Sequence, residues 1–295
     1  MGLSVCIFAR NEEKHLARCI IALEAAGLNY DDQVHILVNG CTDATAQIAA
    51  TLACADKRIE VHHLPVGDKA NAWNEYVHRI STTEINTHIF LDGDIRPSTA
   101  SLSELDRCFY LNRNAYGVAA LPITGRSRRS WSKRLLCEQY ISGNLYALSA
   151  AAILRFRSGG IYMPIGAKGE DGLLTYILLT DFKGGADDSF LHNIEICVNS
   201  TFEFDSLTFN IDDCKTYIKR LTRYSERHFQ KTILYEKLKR EGLAALPENI
   251  YDIYTPAAIA TARPRLHPLD VIFDLNTIRL LRRRQSKKRR IYSRA

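Results

Sequence analysis

A chain of 295 residues, 46% hydrophobic and 24% charged, is globular in composition and long enough for one large domain with an extension, and it excludes collagen, coiled coil and disorder. The formal charge of +6 is unevenly placed: nine of the 39 Lys and Arg fall in residues 279–295 with no acid among them, leaving 30 bases against 33 acids, a net of −3, in residues 1–278. The longest apolar run, 147–154, is broken by Ser149 and closed by Arg155, short of the ~20 residues a bilayer span needs; no basic region precedes the apolar start of the chain, so a secretory signal is not expected and the cytoplasm is.

In chain order, β-rich apolar runs recur at 3–9, 34–38, 59–64, 88–91 and 116–123, with helical stretches between them. This alternation predicts an α/β fold with a mostly parallel sheet. The first helix, about 12–28, places Leu16, Cys19, Ile20 and Leu23 at three- and four-residue spacing and stops near Gly27, so it covers one face of the sheet. Further helices are expected at 43–54, 69–80, 101–111 and 172–182, each opening near a capping residue. After about residue 210 the pattern becomes long and charged (212–241), then Pro-marked through Pro247, Pro256, Pro264 and Pro268, then basic. A boundary is expected there, giving a domain over 1–210 and a helical extension over 211–295 ending in the basic tail 279–295. The eight cysteines form no C-x-x-C pair, so neither a zinc site nor a disulfide framework is expected and they read as reduced thiols, mostly in the core.

The sharpest chemical signal is Ile89-Phe90-Leu91-Asp92-Gly93-Asp94, an apolar strand running into two carboxylates. Strand ends of open α/β sheets are where ligands sit, and paired carboxylates suit Mg²⁺ or Mn²⁺ when phosphate oxygens complete the shell. A surface Asp-Gly turn is the bland alternative. Glu170-Asp171 opens an apolar-periodic helix, where the N-terminus favours an ionised carboxylate; an acidic helix cap explains the same pair without chemistry. Lys69 opens a helix and reads equally as a solvated side chain. Arg220 and Arg223, three residues apart, share a helix face that reads equally as a solvated basic surface.

Taken together, Ser4-Val5-Cys6-Ile7-Phe8-Ala9-Arg10-Asn11-Glu12-Glu13, Val38-Asn39-Gly40-Cys41-Thr42-Asp43, Asp68-Lys69-Ala70-Asn71-Ala72-Trp73-Asn74, Asp92-Gly93-Asp94, Gly169-Glu170-Asp171 and Arg220-Leu221-Thr222-Arg223-Tyr224 resemble the motifs of family 2 glycosyltransferases, in family order, over about residues 3–225. The resemblance implies a GT-A fold and an inverting, metal-dependent transfer of a hexosyl or N-acetylhexosaminyl group from a nucleotide-diphosphate sugar to an acceptor hydroxyl, in surface polysaccharide or glycoconjugate synthesis. It assigns Ala9, Arg10, Asn11, Glu12, Asn39, Gly40, Asp43, Lys69, Asp92, Gly93, Arg220 and Arg223 to the donor, Asp94 with Asp92 to Mn²⁺ or Mg²⁺, Asp171 with Glu170 to base catalysis, and Gly143 and Asn144 to the acceptor. Uridine is favoured by family habit, since Val38 and Asn39 replace the leading acids of the family's second motif. Arg220 and Tyr224 replace the Gln and Trp of processive members, so processivity is not implied. The family's further metal-binding histidine has no counterpart in 198–204, and the histidines of this chain read as ordinary surface or core residues.

Between the last expected strand and the acceptor segment, 126–134 carries five cations around Trp131, expected as a mobile loop that meets a carbohydrate, lipid-linked or other hydroxyl acceptor. The basic tail is a candidate for peripheral contact with anionic lipid at the inner face of the membrane. No nucleic-acid module is present and no nucleic acid is expected as a partner. The alternatives are a non-catalytic glycan-binding scaffold on a degenerate transferase fold, and a sugar nucleotidyltransferase, which needs a glycine-rich phosphate loop where this chain has Arg10-Asn11-Glu12-Glu13.

Overall fold

The computed structural model describes residues 2–185, 191–205 and 211–292, without the side chains of 191, 211–214 and 285–292. In chain order the elements are β1 (Ser4–Ala9), α1 (Leu16–Ala25), β2 (Gln33–Asn39), α2 (Thr45–Ala55), β3 (Ile59–Leu64), α3 (Lys69–Glu75), β4 (Thr87–Asp92), β5 (Arg96–Pro97), α4 (Ser101–Leu111), β6 (Gly117–Pro122), α5 (Arg128–Glu138), β7 (Leu145–Ser149), α6 (Ala150–Ser158), α7 (Glu170–Leu179), β8 (Ile194–Glu203), α8 (Ile211–Glu241), α9 (Pro256–Thr261) and α10 (Pro268–Tyr292).

The strands form one sheet in the order β3-β2-β1-β4-β7-β6-β8-β5. Pairings β1–β2, β1–β4, β2–β3 and β6–β8 are parallel, while β4–β7, β6–β7 and β5–β8 are antiparallel. The parallel half ends Ala9, Asn39 and Asp92 at one edge, and because β7 runs the other way, its first residues return to that same edge. Carboxylates at strand ends are thereby gathered in one place.

Among the described residues, eight strands replace the expected five. The run 147–154 is β7 passing into α6: a strand buried on both faces shows no alternation, so its apolar run cannot be told from a helix by period. The expected mobile loop at 126–134 is instead mostly helix α5, which buries only Leu135 and so lacks an apolar stripe. The helix expected over 69–80 is α3 followed by one wider turn, Tyr76–Ile80, closed by the Ser81 amide on the Tyr76 carbonyl at 2.8 Å.

The core lies on both sheet faces. One side packs α1, α2 and α4 on Val5, Ile7, Ile36, Ile89 and Val118. The other holds Trp73, Tyr76, Phe90, Tyr146 and Phe156 and continues without a break into Phe229, Leu234 and Leu238 of α8 and Ile278 and Leu281 of α10. The extension therefore shares its apolar core with the sheet. Within it, Arg265 clamps the buried Asp274 through two bonds of 2.9 and 2.8 Å, and Ser225 meets Thr277 at 2.8 Å. Among the described residues no helix is long and apolar enough to cross a membrane.

Candidate active site

Lys69, the first residue of α3, is at the centre of the site. Its start is fixed by Asp68, whose side chain caps the helix by accepting from the Asn71 amide at 2.8 Å and also accepts from the Gly166 amide at 2.8 Å. The Asp68 amide donates in turn to Asn39 Oδ1 at 3.0 Å, so the end of β2, the start of α3 and the loop before α7 are tied together. From this anchor Lys69 Nζ reaches Asp92 Oδ1 at 2.5 Å, Glu170 Oε1 at 3.2 Å and the Gly143 carbonyl at 3.0 Å, and lies 5.2 Å from the centre of the Phe8 ring. Burial works against charge on Lys69, but Asp92 and Glu170 override it and raise its pKa.

Burial lifts Asp92 to about 7, with Lys69 opposing and Asp94 reinforcing the shift. Burial also works against the Glu170 carboxylate, yet Lys69 wins and holds it below its ordinary value. Glu12 is placed over the Asp-Gly-Asp turn: a Cβ on Gly93 would stand 3.2 Å from Glu12 Cγ and 3.3 Å from the Phe8 carbonyl. Burial, then Asp94, Asp92 and Asp43, push Glu12 up to about 8. Neither Glu12 nor Asp94 has a cation against it among the described residues.

Asp171, in the first turn of α7, accepts on Oδ1 from the Gly172 amide at 2.8 Å and from Arg227 at 2.7 Å. The same Arg227 nitrogen donates to the Tyr140 hydroxyl at 2.6 Å, and Tyr140 and Tyr235 are raised by burial and by Asp171. Arg227 crosses directly over Gly169, where a Cβ would fall 2.3 Å from its Nε; Gly169 also holds φ at +108°. Both facts demand glycine there. Gly143 completes the enclosure, its absent Cβ lying 3.2 Å from Asp171 Cβ and 3.4 Å from both Lys69 Nζ and Glu170 Oε1.

The structure thus gathers Glu12, Lys69, Asp92, Gly93, Asp94, Gly143, Glu170 and Asp171. Asn144 lies beside them, its carbonyl accepting from the Asp92 amide at 3.2 Å. Ala9 ends β1 beneath the turn. Arg10 donates to the Gly67 carbonyl at 2.5 Å, and Gly40 packs against the Gly67 backbone. Asn11 accepts from the Thr42 amide at 2.8 Å. Asn39 is buried with its Oδ1 engaged by Asp68, and Asp43 caps α2 by accepting from Thr45 N and Oγ1 at 3.0 and 2.6 Å. Trp131 is turned onto Phe202 and Phe204, with ring centres 6.0 and 6.1 Å away. Arg220 and Arg223 make no ion pair with a site carboxylate; the arginine that does is Arg227, one helical turn beyond Arg223. Sequence reasoning missed it because a basic residue in a 31-residue charged helix looks like any solvated one, and only its four-residue spacing from Arg223 pointed there.

The fold is that of the GT-A glycosyltransferases. The model of glycosyl transferase family 2 matches residues 4–161, just over half the chain, and the chain belongs to that family. Three solved structures show how widely the fold extends along it. A mannosyltransferase from Pyrobaculum calidifontis, solved with GDP-Man and Mn²⁺, superposes with a TM-score of 0.60 at 15% identity, covering 93% of this chain and 79% of that one. S. aureus TarS 1–349 with UDP-GlcNAc gives 0.53 at 12% identity, covering 98% and 92%. Glucosyl-3-phosphoglycerate synthase from Mycobacterium tuberculosis, with Mn²⁺, UDP-glucose and phosphoglyceric acid, gives 0.51 at 20% identity, covering 77% and 79%. No curated protein sequence matches the chain.

Proposed function

We propose that the chain is an inverting glycosyltransferase that moves a hexosyl or N-acetylhexosaminyl group from a nucleotide-diphosphate sugar, uridine by family habit, to an acceptor hydroxyl in surface polysaccharide or glycoconjugate synthesis. The observation that carries this reading is the charge imbalance of the enclosure: among the described residues Glu12, Asp92, Asp94, Glu170 and Asp171 face only Lys69 and Arg227 as cations, and burial, reinforced by the neighbouring carboxylates, pushes Glu12 up to about 8. Such a group of hard oxygen ligands fits Mn²⁺ or Mg²⁺, and the neighbours solved with Mn²⁺ or Mg²⁺ support it. Asp94 would hold the ion, with Asp92 and Glu12 beside it. When bound it supplies Lewis-acid stabilisation to the departing diphosphate.

The chain's own residues do the rest. Lys69, held between Asp92 and Glu170, offers the diphosphate a positive charge. Asp171 accepts the proton of the attacking acceptor hydroxyl, and Arg227 fixes that carboxylate in direction. Gly143 leaves room for a sugar to approach Asp171, Asn144 follows it, and Arg134 of α5 stands 5.1 Å from the ring centre of Tyr140. Asp94→Ala and Asp171→Asn should each nearly abolish transfer, while only Asp94→Ala weakens nucleotide binding in the presence of Mn²⁺. Undiminished transfer by Asp171→Asn contradicts the assignment of the base.

The extension is proposed to rest on anionic lipid at the membrane surface. Leu269, Ile272 and Leu275 of α10 are 51%, 66% and 53% exposed, with Leu266 just ahead of the helix 95% exposed, and Arg279, Arg282, Arg283 and Arg284 follow as exposed residues of α10, the arrangement of an interfacial segment. Lys287, Lys288, Arg289, Arg290 and Arg294 lie outside the described side chains. Sedimentation with phosphatidylglycerol vesicles but not phosphatidylcholine vesicles is expected, and loss of it in Leu269→Ser/Ile272→Ser. Equal sedimentation of variant and parent contradicts it.

A further inference from the structure

Short of the strand ends at Asn39 and Leu64, β2 and β3 bring together three side chains that the proposed transfer does not use. The register sets His35 of β2 directly across from Glu60 of β3, and His62, two residues further along β3, shares the face of Glu60. His35 Nδ1 and His62 Nε2 are 3.1 Å apart, His35 Nδ1 and Glu60 Oε2 3.5 Å, and His62 Nε2 and Glu60 Oε1 3.7 Å. All the ligand atoms lie within 4.8 Å of one another.

These lengths have a specific meaning. Ligands at 2.0–2.2 Å in tetrahedral array around zinc stand about 3.3 Å from one another, close to the 3.1 Å between the two ring nitrogens and to the 3.5 and 3.7 Å from each ring to its nearer carboxylate oxygen, Oε2 for His35 and Oε1 for His62. A hydrogen bond between two uncharged imidazoles explains the 3.1 Å edge alone. It leaves unexplained why a carboxylate from the neighbouring position closes the triangle with both rings. The rings are also fixed rather than loose: His35 is buried, with its ring centre 5.8 Å from Tyr76 and 5.3 Å from His62.

We propose that His35, His62 and Glu60 form a binding site for a borderline first-row divalent cation, zinc being the type, which staples the edge strand β3 to β2. Two imidazoles and one carboxylate are a donor set for Zn²⁺, Co²⁺, Ni²⁺ or Cu²⁺ rather than for Mg²⁺. Glu60 is 66% exposed on its side chain, so the fourth position opens to water. Binding replaces the ring-to-ring hydrogen bond: the proton on the shared edge moves to the outer nitrogen of the same ring, and both inner lone pairs turn to the ion. The stapled strand leads through Pro65 into the turn that carries Asp68 and Lys69, so the ion tightens the support of the active site without entering it.

The test uses the full chain, stripped with EDTA and titrated with CoCl₂ and ZnCl₂. Expected are the visible d–d bands of four- or five-coordinate Co²⁺, their displacement by one equivalent of Zn²⁺, and a raised thermal midpoint with Zn²⁺. Asp94→Ala should retain all three, separating this site from the donor site. His62→Ala and Glu60→Ala, both of which alter side chains outside the buried core, should weaken Zn²⁺ binding by about 100-fold and about tenfold, at least the loss usual for weakening a metal's surroundings. Absence of Co²⁺ bands in the parent chain, or Zn²⁺ binding unchanged in His62→Ala, overturns the proposal. Zn²⁺ binding lost in Asp94→Ala overturns it too, since the ion would then be in the donor site.

Discussion

Asn in place of Asp171 keeps the size of the side chain and an oxygen for Arg227 but removes the basic carboxylate, which is why that variant separates chemistry from shape. Arg227 has the complementary role of aiming Asp171. Lys at this position lacks the rigid planar guanidinium that lies across Gly169 and fixes the direction of the donating nitrogen, so Arg227→Lys should lower kcat by about 10–100-fold, the cost of a small misplacement of a reacting group, with nucleotide affinity unchanged. Equal losses in kcat and nucleotide binding contradict that division. Glu12 makes a prediction of a different kind. In the folded chain it keeps its proton up to about pH 8, against an ordinary value of 4.5, and Asp92 keeps its own to about 7 against 3.8. The folded state therefore holds more protons across that window, and stability falls as pH rises through it. Without divalent cation the thermal midpoint should drop between pH 5 and pH 8; Glu12→Gln should flatten the drop, and Mn²⁺ should reduce it. A flat profile in the parent chain counts against the buried acid cluster.

At the scale of elements, α7 begins where it does because Gly169 takes a left-handed conformation and leaves Arg227 of α8 a path across it. Gly169→Ala should cost about 1–3 kcal/mol, the usual penalty for a side chain in that conformation, read as a lower denaturant midpoint. It should also lower transfer by displacing Arg227; full activity in this variant contradicts the contact. Helices α1 to α4 and α7 were legible from their spacing and caps, strands β1 to β4 and β6 as apolar β-rich runs between them, and Asp92, Asp94, Lys69, Glu170 and Asp171 because they sit where a strand ends or a helix starts. Strand β7, buried on both faces, and helix α5, apolar on almost none, carry no usable period. The roles of Asn39 and Asp43 as tethers, and of Trp131 as a packing residue, follow from contacts between segments 29 or more residues apart or from local caps that a motif does not distinguish from ligand contacts. The His35–Glu60–His62 triangle was hidden for a related reason: it exists only in the register of β2 on β3, and three ordinary residues in sequence become a donor set through that pairing.

Across the whole molecule, the core that begins under Trp73 and Phe90 passes without interruption into α8 and α10. The boundary near residue 210 marks a change of pattern along the chain, while the packing joins both sides of it. Leu238 of α8 is fully buried in that shared core, so Leu238→Ala should cost about 2–5 kcal/mol and shift a single unfolding transition; two separated transitions contradict a common core. The same continuity explains how a residue of the extension, Arg227, comes to hold Asp171, the proposed base, at the start of α7. The central claim is that the acid-rich enclosure around Asp94 is a metal-dependent nucleotide-sugar site. Its most direct test is the thermal midpoint of the chain with UDP, GDP and CMP, each with and without Mn²⁺. A ligand at ~100 times its dissociation constant adds about 2.7 kcal/mol of stability, so one nucleotide should raise the midpoint by several degrees only when Mn²⁺ is present, and Asp94→Ala should lose the shift. No shift with any nucleotide, or an equal shift in Asp94→Ala, would contradict it.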